Sequence, residues 1–573
     1  MKKILFIIVS FSIILCARQA RAQSNNPLSI YEGARIDFVD FDYTNSPLDS
    51  LIALDLRTKV EGRFLLFPQT HFNSFMADYY TAQVNLIDGI EIATLNIESS
   101  SGNGIVVRLR VTFSQALVDT KPRRRSLFTK IVDFPLLYSS SRTFLTLKFA
   151  ASQMVYSNNN AWFARPNILT DGNPLATNPT GAGYSAWIEG FAAAGIYGII
   201  KIIPKINLHL YGGANYLVSY SLGPELFTNK SRIYGETEEA FAGIIGGGRT
   251  KSGHIYRYNI LYGRKQFVLG DGWLIINTSM NGDNRAALQI NPRWAAKNLF
   301  QAGAMYDRLF VQIFRLQPNE LPILNSNTVL QGINIELGTR DKILFGASYI
   351  AAPKSDFKYY LPTGKVYTRQ GLQLYNLRFY RSSPPITGGW FAKTEVGYQW
   401  NRNFKMNAFA FYAEAGWTFA TRSNPWSVSY RYAYFSGDNP ASSAYNRWDA
   451  LYTGGTGEQW VQGSNMYKIV QNSNEESHRL QVTINPVRKL QVVGQLWLFY
   501  APELLNLGGN PALSNLRSKF YGAEFNLTLK YFRSRHWYFH LNTAYTLPGG
   551  AIRDNVVGVR NWFCLTAFAR YSF

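Results

Sequence analysis

Cysteine is scarce in this chain, which has only Cys16 and Cys564 among its 573 residues. Charged residues are also few, at 16%, and no segment after the N-terminus reaches the roughly 18 apolar residues that a membrane-spanning helix needs. Linkers of the kind that separate soluble domains are missing as well. These shortages exclude a disulfide-stapled secreted scaffold and a helical membrane protein, and they argue against an ordinary soluble enzyme.

The N-terminus has the features of a secretory signal peptide. Lys2 and Lys3 precede an apolar run, residues 4–15, and the small-residue site Ala20-Arg21-Ala22 follows. We therefore predict that residues 1–22 are removed before Gln23. Removal takes four basic residues and no acidic one, so the formal net charge of +22 falls to about +18 in the exported chain.

Aromatic residues and glycine are abundant, with 15% aromatics, 36 Tyr and 46 Gly. They lie in segments of about ten residues in which apolar and polar side chains alternate, the pattern of a strand with one buried face. Two of these segments joined by a short turn form "HRLQVTINPVRKLQVVGQLWLFY", and "YGAEFNLTLKYFRSRHWYFHLNTAYTL" repeats the arrangement. "GIVVRLRVTF", residues 104–113, is predicted to be another such strand.

Short turns alternate with long polar loops, and no crossover helices interrupt the pattern. This arrangement is typical of an up-and-down barrel, and a closed sheet is the strand structure that satisfies every backbone group in lipid. We predict an all-β fold, a transmembrane up-and-down antiparallel β-barrel over residues 23–573, with roughly 16 to 18 strands and 18 as the best estimate. The expected location is the outer membrane of a Gram-negative bacterium.

The C-terminal stretch "NWFCLTAFARYSF" alternates up to the last residue. Phe563, Leu565, Ala567, Ala569, Tyr571 and Phe573 form one face, and Cys564, Thr566, Arg570 and Ser572 form the other. We predict that this strand closes the barrel and that it carries the terminal signal recognised by the barrel-assembly machinery. Outer-membrane lipid is the other expected partner.

The polar faces of the strands are expected to line the lumen, where basic side chains outnumber acidic ones. Such a lumen would concentrate anions. Each of these residues could instead pair with a lumen carboxylate and brace the wall, so both roles stay open. The candidate pore residues on strands are Arg108, Arg110, Arg378, Lys393, Arg431, Arg479 and Lys530.

Enzyme signatures are not found: the sequence has no H-E-x-x-H, G-x-S-x-G or G-x-x-x-x-G-K-[ST], and the six histidines have no metal-ligand spacing. We therefore predict no enzymatic activity, no cofactor and no metal. The basic run "TKPRRRS" is interpreted as a solvated loop, and nucleic acid is not an expected partner.

Two stretches resemble a known family. "LYGRKQFVLGDGWLI", residues 261–275, resembles the G-R-x-x-F…G-W-L motif of the alginate export family of outer-membrane porins. "YRYAYFSGDNPASSAYNRWDALYTGG", residues 430–455, is similar to that family's S-G-D…D-x-L segment. The resemblance implies a monomeric barrel that passes an anionic uronate polymer through an arginine-lined constriction. It points to Gly263, Arg264, Phe267, Gly272 and Trp273 in the first stretch and to Ser436, Gly437, Asp438, Asp449 and Leu451 in the second. The candidate pore residues taken from the two stretches are Arg264, Lys265, Asp271, Asp438, Arg447 and Asp449, and Asp438 and Asp449 could pair with Arg431 or Arg447 to brace a loop folded into the pore.

The expected function is an outer-membrane channel that passes an acidic polysaccharide or oligosaccharide by passive diffusion. A general anion-favouring porin and an outer-membrane barrel enzyme are the alternatives. A TonB-dependent transporter is not expected, because the sequence pattern leaves no room for a large plug before the first hairpins.

Overall fold

The computed structural model describes residues 28–31, 35–44, 50–64, 73–99, 104–113, 135–203, 207–339, 342–383, 388–419, 425–454, 460–487, 489–534 and 536–573. The predicted signal peptide and the basic run at 120–126 lie outside the described residues. Among those described, no helix has the length and apolar character to cross a membrane.

The chain begins with a small α/β unit, which we call the N-terminal unit. It consists of a short 3-10 helix (Leu28–Tyr31), β1 (Arg35–Thr44), α1 (Ser50–Arg63), α2 (Ser74–Asn85), β2 (Ile90–Ser99) and β3 (Gly104–Phe113). The central strand β3 pairs in parallel with β1 and antiparallel with β2. Leu109 and Val111 of β3, Val60 of α1 and Tyr80 of α2 belong to one hydrophobic cluster, which continues into inner-wall residues of the barrel such as Phe144 and Tyr197.

This unit corrects the prediction that residues 23–573 form a barrel throughout. Residues 104–113 do form an alternating strand, but its apolar face packs into the core of the N-terminal unit, not against lipid. Arg108 and Arg110 consequently do not lie on a barrel strand: Arg108 Nε pairs with Asp40 Oδ2 at 2.9 Å and Arg110 Nε with Asp42 Oδ2 at 2.8 Å. A period of two predicts that one face is covered and does not say by what.

The rest of the chain forms a closed barrel of eighteen antiparallel strands, with the short strand β4 (Leu136–Ser139) attached to β5. The predicted strand number is therefore confirmed. The strands are β5 (Thr143–Asn159), β6 (Tyr184–Ile203), β7 (Leu208–Leu222), β8 (Arg232–Arg249), β9 (Ile255–Gln266), β10 (Ala295–Tyr306), β11 (Leu309–Gln317), β12 (Val329–Gly338), β13 (Ile343–Lys354), β16 (Leu372–Arg381), β17 (Gly389–Asn401), β18 (Ala408–Phe419), β19 (Trp426–Phe435), β20 (Glu475–Val487), β21 (Leu490–Tyr500), β22 (Phe520–Phe532), β23 (Trp537–Pro548) and β24 (Trp562–Ser572).

The two ends of the barrel differ in their connections. The loop end carries long segments with small elements of their own: α3 (Pro166–Leu169), the hairpin of β14 (Lys358–Tyr360) and β15 (Val366–Thr368), α4 (Tyr467–Val470) and α5 (Gly550–Arg553). The turn end joins neighbouring strands by a few residues, such as 307–308 between β10 and β11. In outer-membrane barrels the short turns lie on the periplasmic side, so the turn end corresponds to the periplasmic end of such a barrel.

Alternation along the strands separates an apolar outer face from a polar inner face. On β22, Phe525 and Leu527 are about half exposed at the outer surface, whereas Glu524, Asn526 and Thr528 are buried inside. Hydrogen bonds between β24 and β5 close the wall, with Thr566 opposite Tyr156. Phe573 continues the seam, since its N–H donates to Phe149 O at 2.9 Å and its carbonyl accepts from Phe149 N at 3.1 Å.

The N-terminal unit contacts the inner wall at the turn end. Tyr31 stacks on Phe532 of β22, with ring centroids 6.0 Å apart. On the other side, Phe75 of α2 packs on Phe144 of β5 at 5.9 Å and on Tyr197 of β6 at 5.7 Å.

Candidate functional site

The two motif stretches meet inside the barrel. The loop after β9 and the loop after β19 fold inward, and Ile276 N and Asn277 N both donate to Tyr452 O at 3.0 Å. Trp273 of the first stretch stacks on Trp448 of the second, with ring centroids 5.6 Å apart. Both indole rings are buried by this contact, so the pair fixes the two loops to each other.

A buried ion pair anchors the second loop. Arg369, just after β15, binds Asp449 with both ends of its guanidinium, through Nε to Oδ2 at 2.6 Å and Nη2 to Oδ1 at 2.9 Å. Tyr359 donates a further hydrogen bond to this carboxylate. Burial disfavours the charged form of Asp449, but Arg369 and these hydrogen bonds outweigh it and lower the carboxyl pKa. Asp449 is therefore a charged structural anchor.

The same loop is tied to the loop after β21 by Asp438. Its Oδ2 lies 3.5 Å from Arg447 Nη1 and accepts from Leu507 N at 2.9 Å. Burial raises the pKa of Asp438 in spite of the nearby Arg447. The Asp438–Arg447 pair is the contact expected to brace this loop, so both residues help to hold the loop in position.

Gly263 sets the direction of the basic residues that follow it. Its φ is +136°, and a Cβ at this position would lie 2.4 Å from Ala240 O. Beyond it, Arg264 Nη2 pairs with Glu236 Oε1 at 2.8 Å, and Lys265 Nζ pairs with Glu239 Oε1 at 2.8 Å. Both basic side chains of the first motif are thus held by carboxylates of β8.

The remaining predicted residues of the inner wall also have partners there. Asp271 Oδ2 lies 3.5 Å from Lys393 Nζ, and Arg479 Nη2 lies 2.7 Å from Glu414 Oε1.

Arg378 has both neutral and charged partners. It donates to Asn376 and Ser348, each at 2.9 Å, and its Nη2 lies 3.6 Å from Glu336 Oε1. The Arg431 guanidinium lies 4.4 Å from the centre of the Trp460 ring.

A cavity of about 1660 Å³ lies within the barrel. Its lining includes Lys265, Arg447, Asp449 and Lys530 among the predicted residues. Asn73, Ser74 and Phe75 of the N-terminal unit line it as well. The cavity therefore extends from the inward loops to the N-terminal unit.

One wall of this cavity combines cations with aromatic rings, and we call it the basic wall: Lys530 and Phe532 of β22, Tyr538 and His540 of β23, and Phe568 and Arg570 of β24. The strand register places Lys530 opposite His540 and Tyr538 opposite Arg570. His540 stacks on Phe568 at 4.6 Å between ring centroids. Arg570 lies 5.4 Å from the centre of the Phe191 ring, and its Nε has no hydrogen-bond partner among the described residues.

Lys468 of α4 adds a further cation to the cavity. Its ammonium lies 5.7 Å from the centre of the Trp562 ring, and burial lowers its pKa. Sequence reasoning selected Lys530 and missed Lys468, His540, Arg570 and Arg369 as site residues. The alternation of β24 did place Arg570 on the inner face, but no local signal connected it with His540, which the register of β23 and β24 brings near.

Within the part of the chain that the structure describes, no group of three or more His, Cys, Asp or Glu side chains is arranged to hold a metal ion. The cavity chemistry is that of ion pairs, hydrogen bonds and aromatic contacts.

Several solved porins of Pseudomonas aeruginosa are similar in overall architecture. OprD is 10% identical, with a TM-score of 0.45 over 75% of this chain and 95% of that chain. OccK5 (OpdH) is 9% identical, with a TM-score of 0.42 over 74% and 98%. OpdK with vanillate is 10% identical, with a TM-score of 0.43 over 74% and 98%.

No curated protein matches the chain significantly. The second motif stretch lies within the segment that a family model matches, whereas the first lies before it. Residues 386–562, from just before β17 to the first residue of β24, match the family model described as Alginate export, which confirms the predicted resemblance over that part of the chain and identifies an outer-membrane β-barrel.

Proposed function

We propose that this protein is a channel that passes anionic oligosaccharides or polysaccharides of the uronate class across the outer membrane of a Gram-negative bacterium by passive diffusion. The observation that carries the proposal is the basic wall, where Lys530, His540 and Arg570 face the cavity beside aromatic rings. The family match supports transport across this membrane.

The basic wall suits an acidic sugar for two reasons. Lys530 and Arg570 offer charged donors to carboxylates, and the guanidinium can bind a carboxylate with two parallel hydrogen bonds. Phe568 and Tyr538 offer ring faces for the apolar surface of a sugar. Contacts that are individually weak would let successive carboxylates exchange along the wall without trapping the polymer.

The proposal differs from the expected arginine-lined lumen in the residues that act. Arg264, Arg369, Arg447 and Arg479 are engaged by carboxylates of the wall and loops. Lys530, Arg570 and Lys468 line the cavity beside aromatic rings, so we assign solute attraction mainly to the basic wall and to Lys468.

Planar-bilayer recordings test the assignment. Replacing both cations in Lys530→Gln/Arg570→Gln should reduce anion preference in a salt gradient and weaken block by uronate oligomers. Each lost charge-assisted hydrogen bond to a carboxylate is worth about 1.5–3 kcal/mol, so block should weaken by about tenfold or more. The matched control Lys297→Gln/Arg315→Gln removes the same charge from exposed positions on β10 and β11 and should leave both properties unchanged.

A general anion-favouring porin is the second candidate, because a basic wall attracts any small anion. It predicts the same anion preference with little block by uronate oligomers compared with neutral oligosaccharides of equal length. Selective block by the uronates favours the first proposal. A monomeric state and recognition of the C-terminal strand by the assembly machinery are parts of the same proposal, to be tested by size in detergent and by assembly in cells.

A further inference from the structure

We propose that the N-terminal unit is a gate that closes the periplasmic end of the channel and must detach from the inner wall of the barrel for solute to pass. The inference rests on the proposed function and adds a moving part to it. It is carried by the contacts that α2 makes with the barrel wall.

Helix α2 is buried on all sides, including its polar residues. Asn73 caps its first turn, since its side chain accepts from Met76 N at 3.2 Å. On one side of the helix the Tyr80 ring packs on Phe64, with ring centroids 5.1 Å apart, and Asn85 Nδ2 donates to Ala93 O of β2 at 3.2 Å. The opposite side presents Phe75, Asp78 and Tyr79, at the i, i+3 and i+4 spacing of a single helical stripe. This stripe faces the barrel.

The stripe is fitted to the inner wall by specific polar contacts. Asp78 forms an ion pair with Lys148 of β5. Tyr79 Oη lies 3.2 Å from His209 Nε2 of β7, and Gln83 Nε2 donates to Ser140 O at 3.1 Å. Polar groups buried on both sides of an interface need each other as partners. These pairs therefore favour one position of the unit against the wall.

The same contacts border the solute path. Lys148 lines the cavity on the barrel side, and Ser74 and Phe75 line it on the side of the N-terminal unit. The Tyr31–Phe532 stack joins the unit directly to the basic wall. Material held at the basic wall therefore meets the N-terminal unit on the way to the periplasmic side.

The internal contacts of the N-terminal unit allow it to move as one rigid body. Strand β3 is hydrogen-bonded to β1 and β2, and the rings of Phe41, Phe64 and Tyr80 pack in sequence between the sheet and the helices, so detachment from the wall does not require the unit to unfold. Residues 114–134 connect it to the barrel, and a chain of that length can reach at most about 70 Å. Rigid-body movement of a domain about an interface is an established kind of switching transition.

Cross-linking provides the direct test. In a Cys564→Ser background, Gln83→Cys and Ser140→Cys are joined by a short cleavable bis-thiol linker, and the full-length protein is recorded in a planar bilayer. We expect the linked channel to carry at most about a tenth of the current seen after the linker is cleaved. The control pair is Leu480→Cys/Leu496→Cys, paired neighbours on the outer face of β20 and β21, and linking it should not change the current.

Weakening the contacts between the N-terminal unit and the barrel wall tests the gate in the opposite direction. Asp78→Asn/Tyr79→Phe removes two polar contacts without altering a barrel residue, and it should raise the open fraction about tenfold. The charge swap Asp78→Lys/Lys148→Asp restores an ion pair and should return the open fraction toward that of the wild type.

Equal current before and after cleavage of the linker would overturn the gate. So would the absence of measurable current in every variant. Block by uronate oligomers is read from the same traces. If block is not selective for uronates but the current still rises when the linker is cleaved, the proposed solute is refuted and the gate is retained. The two proposals can therefore fail separately.

Discussion

At the scale of single residues, Gly263 controls where the basic side chains of the first motif point. Gly263→Ala places a Cβ in a left-handed backbone region and against Ala240 O. We expect the free energy of unfolding to fall by about 1–3 kcal/mol, measured by urea unfolding in detergent micelles. Gly494→Ala on β21 is the control, because its Cβ meets nothing within 4 Å. A similar loss in both variants would contradict this role.

Asp449 is the second residue with a defined structural effect. Asp449→Ala leaves the guanidinium of Arg369 buried without its carboxylate, and we expect a loss of about 3–5 kcal/mol. The double variant Arg369→Leu/Asp449→Leu removes both charges and should lose less than the single variant. Asp356→Asn, in the exposed part of the same loop region, should change stability by no more than about 0.5 kcal/mol.

The ion pair also predicts a pH dependence. The pKa of Asp449 is lower in the folded protein than in the unfolded chain, so its contribution is present above the unfolded value of about 3.9 and is lost as pH falls through the folded value. The stability difference between the wild type and Asp449→Asn should be constant above about pH 5 and shrink below about pH 4. A difference that grows on acidification would refute this assignment.

For single residues, the sequence predicted the direction of side chains better than their partners. Alternation placed Arg378, Arg479 and Lys530 on the inner face of the barrel, where the structure has them. It could not identify Arg369 as the partner of Asp449, because the two residues are 80 positions apart and meet only when two loops fold inward.

At the scale of elements, β24 completes the hydrogen bonding of the wall. Deleting residues 571–573 removes the two backbone hydrogen bonds between Phe573 and Phe149 and the end of the seam. Each bond contributes about 0.5–1.5 kcal/mol, so less of the protein should show the compact band of an unboiled sample on a gel. Phe573→Tyr keeps the bonds and the ring, and it should behave as wild type. Equal folding of the truncated chain would show that closure does not need this end.

Strand β3 shows why element type and element location are separate predictions. The sequence identified an alternating strand at residues 104–113, and the structure has one there. Its assignment to the barrel was wrong because α1 and α2 supply the apolar cover that lipid was expected to supply. The helix α2 was not predicted, since its polar residues are buried as well and the segment lacks a clear polar face.

At the scale of the whole molecule, the outer face meets hydrocarbon and the inner face meets water or protein. Leu527→Arg introduces a charge halfway along β22 on the outer face, and we expect a cost of about 2–4 kcal/mol. Val487→Arg, at the turn end of β20, lies near the membrane surface and should cost at most about 1 kcal/mol. Equal costs measured by refolding into lipid vesicles would contradict the assigned depth.

The sequence by itself predicted the barrel strands, their outer and inner faces and a strand number of roughly 16 to 18, because alternation and turn chemistry are local and repeat along the chain. The tertiary structure decided which charges are compensated and which face the cavity, since ion pairs such as Arg369–Asp449 join distant segments. It also decided that the first alternating strands belong to a unit seated in the barrel. An apolar face is the same in sequence whether helices or lipid cover it, and only the folded chain distinguishes the two.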